Sequence, residues 1–287
     1  METACVVRLV PMAVTYQPFA RSLAEALARF LDPAEAWAEA GRWLEEGLGR
    51  SRAWVAAHGD EPVPPEDCRR VEAWLERRRQ GEPWSYLLGW APFRGRRFRV
   101  TRDTLIPRPE TELVLEAALE LGRRLKVLHA CDVGTGTGIL GICLALETDW
   151  DVVATDLSAG ALAVAQANAA ALGARLRCLQ GDLLGPVPDP AGLVVSNPPY
   201  VDPADRPGLQ REVAFEPEGA LFAPDRGLAV ATELLRQARR RSAPGCVLEI
   251  GAGQGAELSA RARAFGWTRV RVHRDWAGHD RVLMAVG

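Results

Sequence analysis

Between residues 126 and 146 the chain runs through three kinds of sequence. An apolar stretch, Lys126-Val127-Leu128-His129-Ala130-Cys131-Asp132-Val133, leads into Gly134-Thr135-Gly136-Thr137-Gly138 and then Ile139-Leu140-Gly141-Ile142-Cys143-Leu144-Ala145-Leu146. Strand, glycine turn and buried helix in that order open a nucleotide-binding βαβ unit. Missing side chains there let a ligand approach the backbone and the start of the helix. The next strand, Asp151 to Thr155, ends at Asp156, whose carboxylate is placed to accept from both ribose hydroxyls of a bound nucleoside. A third, Arg175 to Gln180, ends at Gly181-Asp182-Leu183. Asp182 is suited to accept from an adenine amine, with Leu183 packing nearby. The fold class is therefore α/β.

A fourth strand, Leu193-Val194-Val195-Ser196, ends at Asn197-Pro198-Pro199-Tyr200. Ligands of an α/β sheet meet the carboxyl ends of its strands. A primary amide there offers an acceptor oxygen and two donor hydrogens in one plane, a template for another planar amino group. The prolines stiffen the turn and leave carbonyls free to accept. Tyr200 offers a flat wall for stacking.

Two nucleotide classes are compatible with this much. Gly136-x-Gly138-x-x-Gly141 satisfies the dinucleotide fingerprint of dehydrogenases, but alone such a match is weakly specific. The register Asp132-x-Gly134-x-Gly136-x-Gly138, with Asp156, Asp182 and Asn-Pro-Pro-Tyr at successive strand ends, resembles class I S-adenosylmethionine-dependent methyltransferases. A second acidic-plus-glycine stretch, Glu249-Ile250-Gly251-Ala252-Gly253-Gln254-Gly255, has too little chain after it to open the sheet. It reads as the fifth strand and the start of the helix behind it.

Further segments narrow the resemblance. Pro83-Trp84-Ser85-Tyr86-Leu87-Leu88-Gly89, Phe93, Gly95 and Leu105-Ile106-Pro107-Arg108-Pro109-Glu110-Thr111-Glu112 match one family. So do Phe215-Glu216-Pro217, Asp225-Arg226-Gly227-Leu228 and the Asp275 to Arg281 segment. From about residue 20 onward the chain resembles the PrmC/HemK family of release factor N5-glutamine methyltransferases. It departs at Phe222-Ala223-Pro224, where the family has a glycine-containing turn, and at Leu183, where some members carry an aromatic residue.

The resemblance implies a seven-stranded, mostly parallel, Rossmann-like sheet with a small N-terminal helical bundle. The expected organisation is an unassigned extension over 1–17 and a helical substrate-recognition domain over 18–85. A β-hairpin linker over 86–102 and a catalytic domain over 103–287 follow. S-adenosyl-L-methionine is the implied cofactor, with S-adenosyl-L-homocysteine as product and no metal. Gly134, Thr135, Gly136, Thr137, Gly138, Asp156, Asp182, Leu183 and Asn197 are its expected contacts, and Arg108 and Glu110 are further candidates for shaping the cleft. Asn197, Pro198, Pro199 and Tyr200 are expected to hold the substrate glutamine. The implied partner is the Gly-Gly-Gln domain of a peptide chain release factor. A ribosomal-protein glutamine, adenine N6 or guanine N2 is the alternative acceptor, since an exocyclic amine presents the same geometry.

Composition is consistent with a cytoplasmic enzyme that binds neither membrane nor nucleic acid, and a monomer is expected. Net charge is −2, and no apolar run reaches membrane-spanning length. The six cysteines are scattered, without Cys-x-x-Cys or a histidine at ligand spacing, and read as reduced thiols. From Arg21 to Arg79 the apolar spacing is helical: Leu23, Leu27, Phe30 and Leu31 share a face, as do Ala36, Trp37, Ala40 and Leu44. Tryptophans crowd this half and are expected mostly in its core. Arginines 77–79, 94, 96, 97, 99 and 102 form a basic cluster, read either as a solvated face or as a contact for an acidic partner.

Overall fold

The computed structural model describes residues 14–189 and 191–287. Most of the expected N-terminal extension lies outside them, and its last residues are already helical. The chain divides into two units, at Leu88 and Gly89.

The first unit holds α1 (Tyr16–Leu27), α2 (Pro33–Arg42), α3 (Arg52–Ala57), α4 (Pro65–Arg79) and α5 (Trp84–Leu88). Asp32 caps α2 by accepting from the Ala34 N–H, with Pro33 in the first turn, where its missing N–H costs nothing. Tyr16, Phe19, Leu23, Leu27, Val71 and Leu75 form the core, and Trp43 stacks on Trp84 at 4.8 Å. Trp74 meets both indoles edge-on. Buried Glu39 accepts from Arg78 Nε at 2.7 Å and Trp43 Nε1 at 3.2 Å, so the charge enters the core already paired. Trp37 departs from the expected face: Ala36 and Ala40 are buried, whereas its indole is 54% exposed.

The second unit opens with β1 (Trp90–Phe93) and β2 (Arg96–Arg99), an antiparallel hairpin. Its two-residue turn has positive φ at both Arg94 (51°) and Gly95 (70°), the combination that matches strand twist. Phe93 and Phe98 are core residues of this unit, so the hairpin of the expected linker lies in the second unit, while residues 86–88 fall in the first.

Then come α6 (Thr111–Leu125), β3 (His129–Val133), α7 (Ile139–Glu147), β4 (Asp151–Asp156), α8 (Ala159–Leu172), β5 (Arg177–Gln180) and β6 (Leu193–Ser196). The chain ends with α9 (Glu218–Leu221), α10 (Ala229–Arg240), β7 (Gly245–Glu249), α11 (Gly255–Ala264), β8 (Arg269–Arg274) and β9 (Asp280–Val286). The seven strands lie in the order β5-β4-β3-β6-β7-β9-β8, with β9 antiparallel to both neighbours. Side chains alternate between two cores. Leu193, Val195 and Val247 join α6 and α7 on one face; Val194, Cys246 and Leu248 join α10 and α11 on the other. The order reverses between β3 and β6, and the crevice at their carboxyl ends is where such a sheet takes a ligand.

The arginine cluster is largely paired within each unit. Arg77 and Arg79 engage Glu82 and Glu76. Arg94 and Arg96 engage Glu116 and Glu147.

Candidate active site

A cleft of about 560 Å³ lies at that crevice, within the range of small-molecule sites. Its floor is the turn after β3. Asp132 is buried; its Oδ2 accepts from Thr135 Oγ1 at 2.6 Å and from the Gly141 N–H at 2.8 Å, drawing the glycine turn back over the strand end. Burial, against those two hydrogen bonds, raises its pKa to about 6. Asp156 accepts from the Gly136 N–H on one oxygen and from the Ser158 N–H on the other, each at 2.9 Å. The end of β4 thus fixes the same turn, and Asp156 still faces the cleft.

The wall beyond β5 is Asp182, which is exposed, and Leu183, at positive φ (46°). The Leu183 carbonyl accepts from Thr155 Oγ1 at 3.0 Å. Arg241, just past the end of α10, donates to the carbonyls of Leu184 and Val187, holding that loop from behind.

Asn197 enters from the opposite side, at the end of β6. Ser196 Oγ donates to the Val133 carbonyl at 2.6 Å, tying this strand end to the one that carries the glycines. Asn197 Nδ2 donates to Thr111 Oγ1 at 3.2 Å, and Thr111 Oγ1 donates to Glu249 Oε2 at 2.7 Å. Tyr200 donates its hydroxyl to Glu249 Oε1 at 3.2 Å. Glu249 is buried, and desolvation lifts its pKa to about 7 against the hydrogen bonds from Thr111 and Tyr200. Burial and that neighbouring carboxyl push the Tyr200 phenol well above its ordinary range, so it stays a donor.

The segment before α6 closes the remaining side. Glu216, buried, accepts from the Ile106 N–H at 3.0 Å and from Arg108 Nη2 at 2.5 Å. Arg108 therefore anchors the segment while also lining the cleft.

This geometry can be set beside known proteins. A family model described as the PrmC N-terminal domain matches residues 22–89, and one described as the methyltransferase small domain matches residues 111–221. The release factor glutamine methyltransferase of Bordetella pertussis is 42% identical over 256 residues, covering 88% of this chain and 95% of that protein. Its counterpart in Salmonella typhimurium is 36% identical over 269 residues, covering 92% and 97%. The chain belongs to the release factor glutamine methyltransferase family. Among solved structures, the hMettl16 catalytic domain in complex with MAT2A 3′UTR hairpin 6 aligns with a TM-score of 0.57 at 14% identity, over 77% of this chain and 82% of that one. The N-terminal domain of human METTL16 in complex with SAH aligns at 0.50 and 13% identity, over 77% and 82%. At such identities the likeness is one of fold, that of a class I methyltransferase.

In this family member the cleft gathers Gly134, Thr135, Gly136, Thr137, Asp156, Asp182, Leu183, Asn197, Pro198, Pro199 and Arg108. Three expected residues stand outside its lining. Gly138 caps α7 and packs toward Ile142 and Ala165. Glu110 precedes α6, and its charge acts on Glu249. Tyr200 turns its hydroxyl to Glu249 rather than presenting itself along the cleft. Sequence reasoning missed Leu157, an apolar side chain left 67% exposed beside Asp156 in the cleft. It also missed Thr111 and Glu249 behind Asn197, and Glu216 behind Arg108. For Leu157 a signal existed, since a large apolar residue directly after a strand-terminal carboxylate has no core to enter. Among the described residues no group of three or more histidine, cysteine or acidic side chains is arranged to hold a metal, and no helix is long and apolar enough to cross a membrane.

Proposed function

We propose that this methyltransferase modifies the side-chain amide nitrogen, N5, of the glutamine in the Gly-Gly-Gln loop of peptide chain release factors, with S-adenosyl-L-methionine as donor. The observation that carries the reading is the placement of Asn197 and Pro198 in one cleft with the glycine turn and Asp156. The relatives' name points to the same substrate, and a fold neighbour has been seen with SAH.

The residues present suit the donor. Asp156 has carboxylate lone pairs left for ribose hydroxyls, Asp182 can accept from an adenine amine, and Leu157 and Leu183 supply apolar surface beside it. When bound, S-adenosyl-L-methionine supplies a methyl group made electrophilic by its sulfonium.

The protein's own task is positioning. A carboxamide nitrogen is a poor nucleophile because its lone pair is delocalised into the carbonyl. In this reading Asn197 Oδ1 and the Pro198 carbonyl accept the two amide hydrogens of the substrate, fixing the nitrogen with its out-of-plane face toward the methyl. The same oxygens favour the positive charge that grows on nitrogen. Asparagine cannot take the proton, which leaves to solvent. The same reading makes the enzyme a cytoplasmic monomer whose helical unit recognises the release factor.

The test uses methyl-labelled donor and two full-length release factors, one with its Gly-Gly-Gln loop intact and one with that glutamine replaced by alanine. Label should enter only the first. Label in neither, with donor still bound, would reject the assignment and turn attention to ribosomal proteins and RNA. Asn197→Ala should lower turnover by roughly 10²–10³, the scale for losing one oriented transition-state partner, with the fold intact.

A further inference from the structure

A primary amide is nearly symmetric in shape, and only its neighbours decide which end it shows. Asn197 can hold a substrate amide only if its oxygen faces the cleft. Behind it, Thr111 Oγ1 lies between Asn197 Nδ2, at 3.2 Å, and Glu249 Oε2, at 2.7 Å. A hydroxyl has one hydrogen. An ionised carboxylate only accepts, so it claims that hydrogen and leaves Thr111 with lone pairs alone for Asn197. The amide must then turn its NH₂ inward and its oxygen outward.

We propose that Glu249 and Thr111 are positioning residues, a polarity relay that sets which end of the Asn197 amide meets the substrate. This rests on the reading of Asn197 as the holder of the acceptor amide. Neither residue lines the cleft; Thr111 and Glu249 are both almost wholly buried. The relay is closed on its far side by Tyr200, whose hydroxyl occupies Glu249 Oε1 and leaves Oε2 to Thr111.

The relay has a second state. A proton on Oε2 would be donated to Thr111 Oγ1, freeing the threonine hydrogen to point at Asn197. The amide would then turn over and present two donors to a substrate that also presents donors. Burial places this change within reach, since Glu249 titrates at about 7. Glu110, before α6, favours the proton; Arg281 of β9 opposes it and is itself engaged by Asp275. Arg108 faces the Tyr200 phenol. Activity should therefore fall as pH drops through about 7.

The experiment has two arms, so that the relay and the choice of substrate fail separately. In the first, NMR of the isotopically labelled full chain, without substrate, follows the Glu249 carboxyl and the Asn197 side-chain amide between about pH 5.5 and 8.5. Both should move with one midpoint, and Thr111→Val should uncouple them. An Asn197 signal that ignores the Glu249 titration overturns the relay, whatever the substrate. In the second, methyl transfer to the release factor is measured against pH. Thr111→Val should lower kcat about tenfold or more, as for one lost oriented bond, with cofactor affinity unchanged and Thr111→Ser restoring it. Glu249→Gln should flatten the acid limb. A merely structural threonine would disturb cofactor affinity and leave the pH profile alone, and that result would also overturn the relay. No methylation by the unaltered enzyme, with the coupling intact, would reject the release-factor reading and leave the relay standing.

Discussion

Two strand ends in this sheet carry an acidic residue followed by spaced glycines, and they come to opposite uses. After β3, Asp132 folds its own turn, taking hydrogen bonds from Thr135 and Gly141, and Gly134 and Gly136 line the cleft. After β7, the space above Gly251 to Gly253 is used by the chain itself. Gln254 accepts from the Gly251 N–H at 2.8 Å and donates to the Tyr200 and Arg226 carbonyls at 3.0 and 3.2 Å. Its acidic residue, Glu249, serves Thr111 and Tyr200 instead of its own loop. The first turn lines the cleft and the second is a latch on the segment after Asn197. Gly227 shows how tight the latch is: a Cβ there would lie 2.0 Å from the Tyr200 carbonyl oxygen, and its φ of 81° already excludes most side chains. A glycine pattern opens space; the side chains around it decide whether a ligand or the protein occupies that space.

The sharpest contrast to test is electrostatic. Both acidic residues are buried with raised pKa values, about 6 for Asp132 and about 7 for Glu249. A carboxyl whose folded pKa lies above its unfolded one binds more protons folded than unfolded. Stability is therefore lost as pH rises from about 4.5 through about 7 for Glu249. Glu249→Gln should remove that loss, raising stability by roughly 3 kcal/mol above pH 8 and leaving it near unchanged at pH 4. Denaturant midpoints at the two pH values measure this. A gain that does not depend on pH would mean that Glu249 is not the titrating group.

A smaller effect separates the carboxylates that follow each loop. Asp156→Ala should weaken cofactor binding about tenfold to a hundredfold, the loss of a charged acceptor. Asp275, beyond β8, is taken up by the N–H groups of Ala277 and His279 and by Arg281. Asp275→Ala should leave affinity within about twofold by calorimetry, since no contact to the cleft is lost. Equal losses in both would erase the distinction between binding loop and latch.

The smallest expected change is at the latch. Gln254→Ala should reduce stability by about 1 kcal/mol and turnover a few-fold, without altering the single-site stoichiometry of cofactor binding. Appearance of a second site would show that Gln254 alone keeps the β7 loop from being a ligand loop.

Much of the site was legible because it is local. A strand of buried aliphatics, a glycine turn and a strand-terminal carboxylate are each written in a few consecutive residues, and the sheet's topology brings their ends together. Strand starts were less legible. Lys126 reads as strand from its apolar neighbours, yet it ends α6 in a left-handed conformation (φ 55°), and β3 begins at His129. The hidden part of the site is non-local. Thr111 meets Glu249 across 138 residues, and nothing in either neighbourhood announces the other. The orientation of Tyr200 follows from that partner, so it was equally out of reach. Arg108 was visible as a candidate, but its tie to Glu216 was not.

The strand that carries Asn197 is buried along all four residues and hydrogen-bonded on both sides, by β3 and β7. A few residues on, Pro203–Gly208 and Arg211–Phe215 form short 3₁₀ helices with nothing buried. These two stretches lie at opposite ends of the scale of local opening. Amide protons of β6 should exchange with solvent only when the whole unit unfolds, and those of the turns on far shorter timescales. On the proposed reading, these exposed turns can yield as a protein loop is admitted and let go while Asn197, the group proposed to grip its amide, stays registered to the sheet, so that exchanging substrates need not cost alignment.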